Sequence, residues 1–347
     1  MTASVNVGSA DSMARSVPHP TRPNRGRYSA EMRVFLAGGT GAIGRPLVAR
    51  LLAGGHDVGV LARSERAVAI VRDMGAEPIE GDALNALSLA YAVRTFTPEI
   101  VINQLTSLPR SLLNPRDGLR SIRLTNRLRT EATPVLVEAA IRAGAERIIS
   151  QSISFAQQPG AGTRVEEDPL HLEAPSTHGK VVGAVAAAEA ATIGSADIEG
   201  VVLRYGAFYG PGTYFAAGGA YPKMLERRAL PIIGEGRGVW ALIHVDDAVD
   251  ATSRAMRGPA GVYNICDEAP VTADELIPWM AYALGTKMPF SAPRYLFRSG
   301  PAAILRYLID EQPRVSNQKA KTTLRWTPRH RGWRRELARV LRGETPV

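Results

Sequence analysis

The sequence predicts an α/β protein built on a doubly wound parallel sheet, with a smaller C-terminal lobe on the substrate side, and three observations carry that reading. From Met32 onward short apolar runs alternate with segments of helical period, which is the pattern of strands joined by crossover helices. A glycine-rich turn follows the first apolar run. After Arg204 the pattern loosens into Gly- and Ala-rich loops, and from Ser291 the helical segments become more basic and aromatic.

Residues 1–30 are rich in Ser, Pro, Asn, Gly and Arg with no hydrophobic period, so a disordered extension is expected there; it also lacks the apolar core of a secretory signal. Strands are then expected at Arg33 to Ala37, Asp57 to Ala62, Glu77 to Glu80, Ile100 to Gln104, Arg147 to Ser152, Gly200 to Arg204 and Val262 to Ile265. The dinucleotide-binding part is expected over 31–205 plus about 240–268, and the substrate-side lobe over about 206–239 and 269–347.

The first strand runs into Gly38-Gly39-Thr40-Gly41-Ala42-Ile43-Gly44 and then the helical pattern Arg45 to Leu52. Gly39, Gly41 and Gly44 fit the fingerprint G-x-G-x-x-G. One glycine makes the tight turn, one lets a pyrophosphate approach bare backbone, and the third lets helix pack on strand, with the helix N-terminus aimed at the phosphates. Gly38, Thr40, Gly41, Ala42, Ile43 and Gly44 are therefore candidate contacts of a nicotinamide dinucleotide in a Rossmann arrangement. The second strand ends at Ala62-Arg63-Ser64-Glu65-Arg66, about 20 residues beyond the turn, where an acid would hold the ribose hydroxyls of NAD and an arginine favours the 2′-phosphate of NADP. Arg63 and Ser64 make NADP the preferred cofactor and NAD the alternative; Arg66 reads equally as a solvated helix start. Asp82 and Ala83 follow the third strand, where a carboxylate accepts from the adenine amine or caps the next helix. Leu105, past the fourth strand, and Tyr205, past the sixth, complete the cofactor candidates.

Arg116, Arg120, Arg123 and Arg127 follow one helix face, while Arg110 and Arg129 flank it. Such a stripe is ordinarily solvated; the alternative is that one or two of these arginines reach an anionic group of the substrate. The small-residue segment Val181 to Ala191 permits close packing on the sheet or across a homodimer formed through helices around 120–140 and 181–191.

Other classes find little footing. The net charge is +9, and residues 325–347 hold seven arginines against two glutamates, so a solvated basic helix accounts for more of the excess than nucleic-acid binding does. No run approaches the roughly 20 apolar residues of a membrane span. The single cysteine, Cys266, excludes an internal disulfide and fits a reducing cytoplasm. Six scattered histidines show no metal-binding spacing, and Ser150-Gln151-Ser152 lacks a hydrolase elbow.

With these residues in hand, the chain from Met32 to about Glu336 resembles the extended short-chain dehydrogenase/reductase superfamily, the NAD-dependent epimerase/dehydratase group. The resemblance rests on Gly38, Gly41 and Gly44 as G-x-x-G-x-x-G, on Gly81-Asp82-Ala83, on Leu203-Arg204-Tyr205 with Phe208-Tyr209-Gly210-Pro211-Gly212, and on His244-Val245-Asp246-Asp247. It implies acid/base and hydride chemistry by a hydroxyl residue after the fifth strand and a Tyr-x-x-x-Lys on the next helix, the lysine lowering the tyrosine pKa. Ser152 matches the hydroxyl. No tyrosine lies between Tyr91 and Tyr205, however. Lys180 stands near the family lysine with Ser176 in place of the tyrosine, whereas an alignment anchored on Glu189 puts Val181 and Val185 there.

A serine cannot replace the phenol, because its hydroxyl is far less acidic. Three readings stay open. The acid/base comes from Tyr205, Tyr209 or His178, the last being taken as a surface-loop residue; or the enzyme needs only hydride transfer and binding, with protons from water; or the protein binds NAD(P) without turnover, as a regulatory or interaction protein. Ser152, Tyr209 and Lys180 are the candidate catalytic residues. A small-molecule substrate is expected, of the nucleotide-sugar or carbonyl type.

Overall fold

The computed structural model describes residues 31–109 and 112–344, so the expected N-terminal extension and Arg110 lie outside the described residues. Seven parallel strands form the central sheet: β1 (Arg33–Ala37), β2 (Asp57–Ala62), β3 (Glu77–Glu80), β4 (Ile100–Asn103), β5 (Arg147–Ile153), β6 (Glu199–Tyr205) and, after two short strands β7 (Ala207–Tyr209) and β8 (Leu242–His244), β9 (Gly261–Ile265). Each matches its expected span to within one residue. Their spatial order is β9-β6-β5-β4-β1-β2-β3. The chain therefore builds outward from β1 in one direction, then returns to place β4 on its other side. That reversal opens the crevice at the carboxyl ends of β1 and β4, where ligands bind in such sheets.

Both sheet faces are covered, which is why the central strands β1 and β4 are near-continuous apolar runs rather than alternating, while the edge strand β3 is not. Val34 and Leu36 of β1 pack toward α1 (Gly44–Ala53), α2 (Glu65–Asp73) and the later α8 (Val245–Ala255), while Phe35 and Ala37 pack toward α3 (Ala86–Phe96) and α5 (Thr133–Arg142). α4 (Pro115–Arg127) runs into α5 through a π-helical turn, Leu128–Ala132. The long α6 (Ser176–Ile193) lies along β5 and β6, burying His178, Val182, Val185 and Glu189 on one side.

A separate hydrophobic cluster lies beyond the sheet. It joins Tyr209, Phe215, α7 (Ala220–Glu226), Trp240 and Leu242 to α9 (Ala273–Ala283), Ile309 and α12 (Trp333–Arg342), with α8 (Val245–Ala255), α10 (Gly300–Arg306) and α11 (Gln318–Thr323) between. The basic helix α12 is a structural member of this lobe: it buries Trp333, Leu337 and Leu341, and its arginines pair with carboxylates, Arg334 with Glu275 and Arg339 with Glu336. Between the lobe segments the chain returns to the sheet. Asp247 accepts from the main-chain N–H groups of Arg329 and His330 at 2.8 and 3.0 Å, and its main-chain carbonyl accepts from the indole of the buried Trp326 at 3.1 Å. Among the described residues no helix is long and apolar enough to cross a membrane.

Candidate active site

The glycine turn has the shape that its sequence demands. Gly38 has φ +95°, and a Cβ there would stand 2.5 Å from the carbonyl oxygen of Gln104; one on Gly44 would stand 2.3 Å from the carbonyl oxygen of Gly38. Gly41 is different. A Cβ there meets nothing closer than 3.4 Å, so the fold itself does not require that glycine, and its exposed backbone is left open to a ligand. Thr40 and Ala42 border the same turn, and Ile43 is buried beneath it. α1 begins with no side-chain cap and no acid in its first turn, so the positive end of its dipole faces the turn uncompensated. These residues fit the pyrophosphate of a dinucleotide.

At the far end of the crevice a cavity of about 710 Å³ is lined by Arg63, Ser64, Glu65, Arg72, Gly81 and Asp82, among others. Ser64 also caps α2, accepting from the N–H of Ala67 at 3.3 Å. Asp82 is not a helix cap. Its carboxylate accepts from the N–H of Leu84, the cap of α3 is Asn85, and the helix begins three residues later than Ala83, which is buried. Arg72 of α2 was not among the expected contacts; it lines the same opening as Arg63, which stands just before that helix begins.

The proton-transfer candidates fare otherwise. Ser152 is buried, and its hydroxyl donates to Glu189 at 2.5 Å instead of facing the crevice. Glu189 also accepts from Arg204 at 2.9 and 2.7 Å, forming a buried ion pair. Lys180 is exposed, and nine residues from Glu189 it points to the opposite side of α6. The pairing of Glu189 favours the alignment that puts Val181 and Val185 where the family carries tyrosine and lysine. Tyr205 is a core residue, donating to Thr252 at 2.7 Å and accepting from Gln104 at 3.2 Å, and burial pushes its phenol up to about 12. Tyr209 is fully buried edge-on to His244 at 5.1 Å, and burial raises its pKa strongly. His178 belongs to α6, not to a surface loop: it packs on Tyr307 at 4.2 Å, and burial pushes it down to about 4. Leu105 borders the crevice, with its carbonyl held by the amide of Gln151 at 2.9 Å.

Beneath the lobe, Asp267 is 5% exposed, with one oxygen accepting from the N–H of Ala269 and the other unpartnered. Burial, assisted by Asp247 and Glu268, pushes it up to about 7. The folded state thus holds a proton that the unfolded chain releases near 3.8, so this group's contribution to stability is full below that pH and is lost as pH rises through about 7. Asp267→Asn is expected to flatten that decline and to melt higher than wild type above this range, which thermal melts across pH would read.

Comparison with known proteins places this geometry. Residues 34–266 match the model of the NAD dependent epimerase/dehydratase family. A 3-diazoavenalumate denitrifying reductase of a Streptomyces species is 38% identical over 316 residues, covering 89% of this chain and all of the relative. A UDP-glucose 4-epimerase of Mycolicibacterium smegmatis is 28% identical over 316 residues, 86% of this chain and 94% of that one. Among solved structures, the UDP-glucose 4-epimerase of Thermotoga maritima with UDP-glucose superposes with a TM-score of 0.69 at 21% identity, covering 89% of this chain and 97% of that one. The Thermus thermophilus enzyme of the same name, in complex with NAD, gives 0.68 at 23%, covering 90% and 98%. The non-catalytic alternative is set aside, because these relatives are enzymes. The chain is an enzyme of reductase or epimerase/dehydratase type that uses NAD or NADP, and it belongs to the NAD dependent epimerase/dehydratase family.

Proposed function

We propose that this enzyme is an NADPH-dependent reductase that delivers hydride to a substrate already electrophilic without acid catalysis, a diazo compound whose nitrogen is replaced by hydrogen. The observation that carries this reading is the fate of the proton-transfer residues: Ser152 is bound to Glu189, Lys180 faces outward, and Tyr205 and Tyr209 lie in the core. A ketone needs a proton on its oxygen as hydride arrives, and a positioned acid contributes about 10²–10⁴-fold to such a step. A diazonium ion does not. Hydride adds to the cation, the carbon–nitrogen bond breaks with its electron pair leaving on nitrogen, and the products are a C–H bond and dinitrogen, with no proton consumed. The diazo substrate in the name of the 38%-identical reductase supports the class.

When bound, the reduced nicotinamide supplies the hydride. The chain's own part is to bind and orient. Gly38 to Gly44 and the N-terminus of α1 suit the pyrophosphate; Arg63, Ser64 and Arg72 suit a 2′-phosphate; Asp82 and Ala83 suit the adenine; and Leu105 borders the nicotinamide side. Arg63→Ala is expected to weaken NADPH by roughly 10–100-fold while changing NADH less than about twofold, since it removes charge-assisted bonds made only to the phosphate. Fluorescence titration of both cofactors reads this, and equal losses would remove the NADP preference. The exposed Gly183, Ala187 and Ala190 on α6 support close pairing of two copies, which sedimentation would detect.

The function is tested by supplying NADPH and 4-carboxybenzenediazonium. Enzyme-dependent NADPH loss with one dinitrogen and one benzoate per turnover is expected. Absence of reduction, with turnover of UDP-glucose instead, would overturn the reading.

A further inference from the structure

An arginine below the surface without a partner is informative, because removing a charge from water is costly unless something compensates it. Arg147, Arg164, Arg204, Arg306 and Arg339, the other described arginines that are not exposed, each have a carboxylate or carbonyl partner. Arg129 is also only half-exposed, and among the described residues it has no hydrogen bond or ion pair.

Its position is fixed from three sides. Arg129 stands in the π-helical turn Leu128–Ala132, the kind of helix irregularity that re-aims side chains and recurs at functional sites. Thr133, closing the turn, accepts from Asn103 at the end of β4 at 3.1 Å, and Thr125, before it, donates to the carbonyl of Ser107 at 2.9 Å. The turn therefore lies along the chain that leaves β4. Across from it is α6, where Arg129 comes near enough to feel the charge of Glu189. Glu189 is not its partner, since both carboxylate oxygens are engaged by Ser152 and Arg204. Arg129 thus stands on a turn packed against α6 and tied at both ends to the chain that leaves β4, the stretch in which Leu105 is held by Gln151 of β5.

We propose that Arg129 is a substrate-binding residue that receives a carboxylate of the molecule reduced in this crevice. The inference rests on the reductase reading only in taking the crevice as the substrate site. A planar guanidinium with its donors unused matches a carboxylate bidentately. Burial pushes its pKa down to about 10, which leaves it fully charged at neutral pH. Val181 and Val185 on the facing helix carry no charge, and Lys180 points away, so the cation on this side of the crevice comes from the turn instead. The diazo substrate named for the 38%-identical reductase is itself a carboxylate.

The test has a binding arm and a kinetic arm. Benzoate and benzamide are titrated into the NADP⁺-loaded protein by calorimetry, for wild type, Arg129→Gln and Arg129→Lys. Benzoate affinity is expected to fall about tenfold or more in Arg129→Gln and by less in Arg129→Lys, with benzamide unaffected and NADP⁺ affinity and melting temperature unchanged. In the kinetic arm the KM for 4-carboxybenzenediazonium should rise in Arg129→Gln with kcat little altered, while 4-methylbenzenediazonium is reduced as by wild type. If neither diazonium ion is reduced but benzoate binding still depends on Arg129, the reductase reading fails and this assignment stands. Equal benzoate affinity in wild type and both variants, or no saturable benzoate binding by wild type, overturns it.

Discussion

Gly41→Ala is expected to leave the protein as stable as wild type and to lose dinucleotide binding by about 100-fold, whereas Gly44→Ala should lose both. The contrast follows from what each new methyl meets. At Gly41 the nearest atom is the carbonyl oxygen of Gly38 at 3.4 Å, an ordinary contact, and the backbone needs no left-handed φ. Only a ligand pressed against that exposed backbone would object. At Gly44 the methyl would overlap the carbonyl oxygen of Gly38 at 2.3 Å and the backbone of Gly39 at 2.6 Å, neither of which can yield without opening the turn. Overpacking of that kind costs about 1–3 kcal/mol, and it also displaces the N–H groups at the start of α1. Urea unfolding and NADPH titration on both variants separate the effects. Tight binding by Gly41→Ala would show that the pyrophosphate lies elsewhere.

The largest loss of stability is expected at Glu189. The Glu189–Arg204 pair is held at 2.7 Å with side chains 8% and 6% exposed, and the carboxylate also takes the Ser152 hydroxyl. Glu189→Ala leaves a buried guanidinium and a buried hydroxyl without their acceptor, which should cost about 3–5 kcal/mol. Replacing both members of the pair, Glu189→Leu with Arg204→Met, should restore much of that, because the stranded charge is gone. Urea denaturation of the single and double variants reads the difference; a single-variant loss below about 1 kcal/mol would mean that solvent reaches the pair. Ser152→Ala, in turn, should leave cofactor affinity unchanged, since its hydroxyl serves the pair and not the crevice.

How much of this was legible before the structure depends on range. The strands and the glycine turn are local: each is written in a few consecutive residues, and a run such as Val34 to Ala37 has one plausible fate beside a glycine turn. The destinations of Ser152, Tyr205 and Tyr209 are not local. Whether a side chain on a strand or loop faces ligand or core depends on which helix covers it, and that is decided by α6 and α8, 37 and 47 residues away in the contacts that matter. His178 illustrates the same limit, since a histidine beside Pro175 and Gly179 reads as loop until Tyr307 is found packed upon it. Arg129 did leave a trace. It falls two residues past Arg127, roughly 200° around a helix from the solvated stripe, so it could not share that face.

The return of the chain to Asp247 has a consequence for recombination. The outer cluster is assembled from stretches on both sides of β9 and again after the Asp247 contacts with Arg329 and His330. No single crossover point separates the outer cluster from the sheet in such a chain. Exchange of the whole cluster between relatives would need several junctions to be inherited together, whereas replacement of single side chains leaves this interleaved scaffold intact.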